Sequence, residues 1–114
     1  MRKTHQTKCA YCGLDLSALY ENWLTMALDH VVPYNTCVMW KLPEEWREGY
    51  TNRVLCCTTC NTFGNRYFPE GYPRPTTIEE FYALRDKIFV DRRQRILDRH
   101  MLERDFFDKK PWEV

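Results

Sequence analysis

Segment 52–61, which reads Asn-Arg-Val-Leu-Cys-Cys-Thr-Thr-Cys-Asn, decides the fold. It contains one Cys-x-x-Cys pair, Cys57 and Cys60, and a second pair, Cys9 and Cys12, lies near the start of the chain. Each pair places two thiolates on one tight turn, and four sulfurs complete the tetrahedral shell that structural Zn²⁺ prefers. The spacing therefore predicts one zinc ion that ties the two segments together.

The two pairs also limit what the zinc can do. Four sulfur ligands leave no open position for water or substrate, so we expect a structural zinc and not a catalytic one. A thiol redox protein is an alternative, but a thioredoxin-like site needs a single pair on a βαβ framework. Cys37 and Cys56 lie outside the paired spacing, so we expect small buried apolar residues there, with Cys56 as a weak alternative ligand.

Bulk composition sets the class of protein. At 114 residues the chain has the size of a single compact domain, residues 1–114, and 44% of its residues are hydrophobic. No apolar run approaches the roughly 20 residues that cross a bilayer, and no secretory signal is present, so we expect a cytoplasmic protein with no membrane partner. The formal net charge of +1 gives no support to a nucleic-acid partner.

Local patterns predict a mixture of strands and helices. Leu24, Met26 and Leu28 alternate with more polar residues at the period of a half-buried strand. The stretch 42–49 has Pro early and Gly last, which is typical of a short helix. A Thr77-x-x-Glu80 capping box then opens a helical region over 76–110, either one long helix or two with a break near 91–95.

This helical region carries both signs of charge. Its cations are Arg85, Lys87, Arg92, Arg93, Arg95, Arg99 and Arg104. Its interleaved acids are Asp86, Asp91, Asp98, Glu103 and Asp105. Mixed signs are typical of a solvated, salt-bridged face, which is the interpretation we favour, although the cations could also follow a phosphate backbone. A homodimer through this C-terminal helix is a further possibility.

Between the cysteine pairs lies Leu-Asp-His-Val-Val-Pro, residues 28–33. An Asp-His dipeptide alone says little, but here the order is Cys-x-x-Cys, Asp-His-x-x-Pro, Asn, then Cys-x-x-Cys-Asn. This order, over residues 9–66, resembles the zinc-containing branch of the HNH endonucleases. The resemblance implies an α+β fold with a small ββα-metal core over 9–66, stapled by the four-Cys zinc and followed by the C-terminal helical extension 76–110.

The resemblance also implies roles for individual residues. His30 would be the general base that takes a proton from the attacking water, which suits an imidazole near neutral pH. Asp29 and Asn61 would hold one catalytic divalent ion, and such a hard-oxygen pair favours Mg²⁺ or Mn²⁺. Asn52 matches the middle Asn, which holds the His-bearing loop through backbone hydrogen bonds.

Two further residues follow Asn61 by about one helical turn. Asn65 is an alternative metal ligand, and Arg66 could contact the scissile phosphate. The predicted function is therefore a DNA endonuclease or nickase that leaves a 5′ phosphate and a 3′ hydroxyl. The alternative is a non-catalytic zinc module that binds nucleic acid or protein, which explains the cysteines but leaves Asp29 and His30 without a task.

Overall fold

The computed structural model describes residues 7–113 and shows a small mixed α+β architecture. Strands β1 (Met26–His30) and β2 (Arg53–Cys57) pair antiparallel, with His30 opposite Arg53 and Met26 opposite Cys57. The helices of the described part are α1 (Tyr20–Trp23), α2 (Tyr34–Met39), α3 (Glu44–Glu48), α4 (Thr58–Phe63) and α5 (Ile78–Asp108). The predicted α+β class is confirmed at this level. No helix within 7–113 combines the length and apolarity that a bilayer crossing requires.

The alternation predicted for β1 is present, but its apolar members are the exposed ones. Leu24 and Leu28 are 62% and 59% exposed, whereas Ala27 is half-buried and Asp29 is buried. The strand is half-buried, as its period predicts, but its buried side carries Ala27 and Asp29 and not the leucines. The physical reason is that a buried ion pair to α5 draws the Asp29 side chain inward, so a charged residue marks the inner face of the strand.

Helix boundaries follow the local signals. In α3, Pro43 is the N-cap and Gly49 the C-cap, as the Pro-early and Gly-last pattern predicted. At the start of α5 the Thr77 hydroxyl accepts a hydrogen bond from the Glu80 amide at 3.1 Å. Helix α5 then continues unbroken to Asp108, so the one-helix alternative is correct.

Two clusters of buried side chains form the core, and α5 contributes to both. The first surrounds the paired cysteines and includes Ile96 of α5. The second lies around Val31 and Val32 and includes three α5 residues: Phe81, Leu84 and Ile88. Burying an aliphatic or aromatic side chain of this size contributes about 1.5–3 kcal/mol, so α5 is a major source of stability for residues 9–66. Beyond residue 100 the helix is exposed, and a homodimer through it stays a prediction.

Arg92 of α5 is buried beneath the end of β1. Its Nη1 donates to Asp29 Oδ2 at 2.8 Å and to the carbonyl oxygens of His30 and Val31 at 2.8 and 2.9 Å. Its Nη2 donates to the Gly64 carbonyl at 3.0 Å. A Cβ at Gly64 would lie 2.8 Å from Arg92 Nη2, so only glycine permits this approach. The expected solvated face of α5 is therefore wrong at Arg92, because desolvation here is offset by a carboxylate and three carbonyls.

Arg92→Met should destabilise the zinc-loaded protein by about 3–5 kcal/mol, because it leaves the Asp29 carboxylate buried without its counter-charge. Arg104→Met, at an exposed position of the same helix, should change the free energy of unfolding by no more than about 0.5 kcal/mol. Urea denaturation measures both. Adding Asp29→Asn to Arg92→Met should recover part of the lost stability. Equal free energies of unfolding for Arg92→Met and Arg104→Met would contradict this role of Arg92.

Candidate metal centre and adjoining cleft

The sulfur atoms of the four paired cysteines form one cluster. The Sγ atoms of Cys9, Cys12, Cys57 and Cys60 all lie within 4.8 Å of one another, and those of Cys12 and Cys57 are 3.9 Å apart. Zn–S bonds of about 2.3 Å in a tetrahedron place sulfurs about 3.8 Å apart, so the cluster has the dimensions of a zinc site. The grouping contains neither Cys37 nor Cys56, both fully buried, as expected of small apolar residues.

Short-range geometry builds each half of the cluster. The first pair lies on a turn that Gly13 closes at a φ of +82°, in the left-handed region that favours glycine. The Ala10 amide donates to the Leu55 carbonyl at 2.9 Å and fixes this turn against β2. Cys57 ends β2 and is the N-cap of α4, which places Cys60 in the first turn of that helix.

Hydrogen bonding and burial shift the pKa values of these thiols in opposite directions. A hydrogen bond from Cys60 lowers the pKa of the Cys9 thiol to about 4. Burial, opposed by a backbone hydrogen bond from Leu14, raises the pKa of Cys12 to about 11. Because zinc binds thiolates, loading the site must release protons from the groups with raised pKa.

Helix α5 contacts both halves of the cysteine cluster. His100 Nε2 lies 3.1 Å from Cys60 Sγ, and Arg93 Nε donates to the Tyr11 carbonyl at 3.0 Å, within the first cysteine turn. A zinc-bound thiolate can only accept, so His100 would donate to it and steady the ligand from outside the shell. Sequence reasoning missed His100, although its place four residues after buried Ile96 puts both on one helix face.

A cleft of about 230 Å³ opens beside the cysteine cluster. The structure brings Asp29, His30 and Asn61 together in its wall, along with Asn65, the alternative ligand. Polar or charged lining residues that the sequence did not indicate are Tyr34, Asn35 and Arg92. The Asn61 side chain has no hydrogen-bond partner within 7–113, so its amide oxygen is available to a ligand.

The Asp29 carboxylate is held from two sides. The Tyr11 hydroxyl donates to Oδ2 at 2.5 Å, and Arg92 contacts Oδ2 at 2.8 Å and Oδ1 at 3.4 Å. Burial raises the pKa of Tyr11 well above its usual range, so it stays a neutral donor. Among residues 7–113, Asp29 Oδ1 accepts only the long contact from Arg92, at 3.4 Å.

His30 faces a carboxylate that sequence reasoning missed. Its Nε2 lies 3.1 and 3.2 Å from the two carboxylate oxygens of Glu48 in α3. Arg47 Nε donates to the same carboxylate at 2.7 Å, and this hydrogen bond is the main cause of the lowered pKa of Glu48. An ionised carboxylate only accepts, so Nε2 carries the proton of this hydrogen bond, and in the uncharged form of the ring the lone pair lies on Nδ1.

Asn52 fixes the loop that follows His30. Its side-chain oxygen accepts from the Val32 amide at 2.8 Å, and its Nδ2 donates to the Val32 and Arg47 carbonyls at 3.2 and 3.1 Å. The side chain is fully buried. Asn52 therefore connects the end of β1 to the end of α3, the two elements that carry His30 and Glu48.

Arg66 lies outside this cleft. It lines a neighbouring cleft that shares Gly64 and Arg92 with the first. Arg66 therefore does not line the same cleft as Asp29, His30 and Asn61, and its contact to the scissile phosphate stays a prediction.

Comparison with models of known protein families, with curated proteins and with solved structures found no match for this chain. The resemblance to the HNH endonucleases therefore stays a prediction from the order of the motifs, of which the structure shows the four-Cys cluster.

We expect purified protein to contain about one zinc ion per chain, and Cys12→Ser to lose most of it, because one of four thiolate ligands is removed. Cys37→Ser is the matched control, since Cys37 is equally free of disulfides but lies outside the cluster. Plasma emission spectrometry measures zinc after gel filtration. Full zinc content in Cys12→Ser, or no zinc in the unmodified chain, would contradict the assignment.

Proposed function

We propose that this protein is a metal-dependent endonuclease or nickase that hydrolyses phosphodiester bonds of DNA. The observation that carries the proposal is the convergence of Asp29, His30 and Asn61 on one cleft beside the four-Cys cluster. The order β1, β2, α4 adds support, because it is the ββα order of the HNH core, with Asp29 and His30 ending the first strand.

His30 has the surroundings of a general base. With Nε2–H donated to Glu48, the lone pair on Nδ1 can accept a proton from a water molecule. The water oxygen then forms a bond to phosphorus, the bond from phosphorus to O3′ breaks, and the leaving oxygen takes a proton from solvent. The products are a 5′ phosphate and a 3′ hydroxyl. Glu48 is a positioning residue in this scheme, since it acts through His30.

Asp29 and Asn61 would hold the divalent ion, Mg²⁺ or Mn²⁺, with water and phosphate oxygens as further ligands. When bound, such an ion supplies charge stabilisation to the phosphate and its leaving oxygen. Arg92 orients the Asp29 carboxylate, but its own charge lowers the affinity of the site for a cation. We therefore expect the ion to bind more tightly when a phosphate is present.

A non-catalytic zinc module is the second candidate. The observation that favours it is that Asp29 and His30 already have internal partners, Arg92 and Glu48. In a purely structural role these pairs would hold α3 and α5 against β1, and the cleft would bind nucleic acid or protein without cleaving it. Activity measurements separate the two candidates.

Nicking of supercoiled plasmid should require added Mg²⁺ or Mn²⁺ and fall at least about 100-fold in His30→Ala, because the general base is lost. The ion should be omitted, not chelated, since a chelator would also remove zinc from the cysteine cluster. Zinc content and thermal unfolding of the variant serve as controls for folding. Undiminished nicking by His30→Ala would reject the catalytic assignment, and zinc-loaded protein inactive with either ion favours the second candidate.

Glu48→Gln should lower kcat about 10-fold or more with little change in KM for DNA, because an amide can also donate to Nε2 and favour the wrong tautomer. Glu45→Gln, an exposed change on the same helix, is the matched control. Initial rates over a range of DNA concentrations give both constants. Equal kcat values for the two variants would remove Glu48 from the mechanism.

A further inference from the structure

A second cleft, of about 210 Å³, adjoins the first and shares Gly64 and Arg92 with it. Its wall contains three arginines and two aromatic residues, and no carboxylate. The lining residues are Phe63, Gly64, Arg66, Tyr67, Arg92, Arg95 and Ile96. The second cleft is therefore cationic, has aromatic residues in its wall and lies beside the first cleft, where we propose that the reaction takes place.

Arg92 is paired with Asp29, but the other two arginines of this cleft are incompletely neutralised. Arg66 has no hydrogen bond, ion pair or ring contact within residues 7–113. Arg95 pairs with Asp91 at 3.4 Å, but its side chain is 65% exposed, and an exposed pair of this kind contributes little. The same Asp91 carboxylate also accepts from the Tyr67 hydroxyl at 2.9 Å. A positive charge therefore stays available to an incoming anion.

We propose that the second cleft binds the backbone phosphate next to the scissile one, with Arg66 and Arg95 as its ligands. This proposal rests on the proposed function, because that function places a phosphate in the first cleft. Two clefts with a common wall suit successive phosphates of one strand. Guanidinium groups are suited to a phosphate because their planar donors match its oxygens.

The site revises the role of Arg66. The sequence suggested that Arg66 contacts the scissile phosphate. In the structure Arg66 lines the second cleft together with Arg95 of α5, so we assign both residues to the neighbouring phosphate. Binding energy gained there would hold the strand in register without taking part in proton transfer. Removing these arginines should therefore weaken substrate binding and its dependence on salt concentration.

The test compares two double variants of the zinc-loaded, full-length protein. Arg66→Gln with Arg95→Gln removes the proposed ligands, and Lys87→Gln with Arg104→Gln removes the same charge from exposed α5 positions outside both clefts. Binding of a fluorescein-labelled 20-base-pair DNA duplex is measured by anisotropy, without added Mg²⁺ or Mn²⁺, over a range of salt concentrations. The first variant should bind about 10-fold more weakly and lose about one unit of the slope of log K against log salt. The control should keep the slope of the unmodified chain.

The possible outcomes separate the two proposals. Equal slopes and affinities for the two double variants would overturn the phosphate site, even if the unmodified chain nicks DNA. Failure of the unmodified chain to bind the duplex would overturn it as well. An arginine-dependent slope in a protein that never nicks DNA would support phosphate binding by Arg66 and Arg95 but would reject the nuclease function, and with it the position next to a scissile phosphate.

Discussion

The buried ion pair between Arg92 and Asp29 is the interaction on which the rest of the structure depends. A guanidinium is expensive to bury unless its donors are satisfied, and here one carboxylate and three carbonyl oxygens accept from the two Nη atoms. The buried Nε has no partner among residues 7–113. Those acceptors lie at the end of β1, in the loop after it and just beyond α4. One side chain of α5 thereby fixes the relative positions of the elements that carry the candidate catalytic residues.

This arrangement has an electrostatic consequence. In the proposed catalytic centre, Asp29 would share its charge between Arg92 and the divalent ion, so the affinity for the ion alone would be low. The neighbouring cationic cleft has the opposite preference and attracts phosphate. If both proposals hold, the divalent ion would bind most tightly when nucleic acid is bound at the same time.

The sequence predicts the parts of the site that depend on short spacing. The Cys-x-x-Cys turns, the position of Asp29 and His30 at a strand end and the Thr77 cap are set within a few residues of chain. The residues that contact Asp29 and His30 were not predicted, because they lie far from them in the sequence. Arg92 is 63 residues from Asp29, and nothing in a mixed-sign helix distinguishes it from its exposed neighbours. Glu48 lies in the short helix predicted over 42–49, and no sequence motif there indicates a partner for His30.

A crystal structure of the zinc-loaded protein grown with Mn²⁺ and a DNA duplex tests the central claim most directly, because anomalous scattering distinguishes manganese from zinc. We expect manganese about 2.1–2.4 Å from one oxygen of Asp29 and from the amide oxygen of Asn61, with zinc at the four cysteines. A zinc peak at the cysteines with no manganese between Asp29 and Asn61 would contradict the proposed catalytic centre.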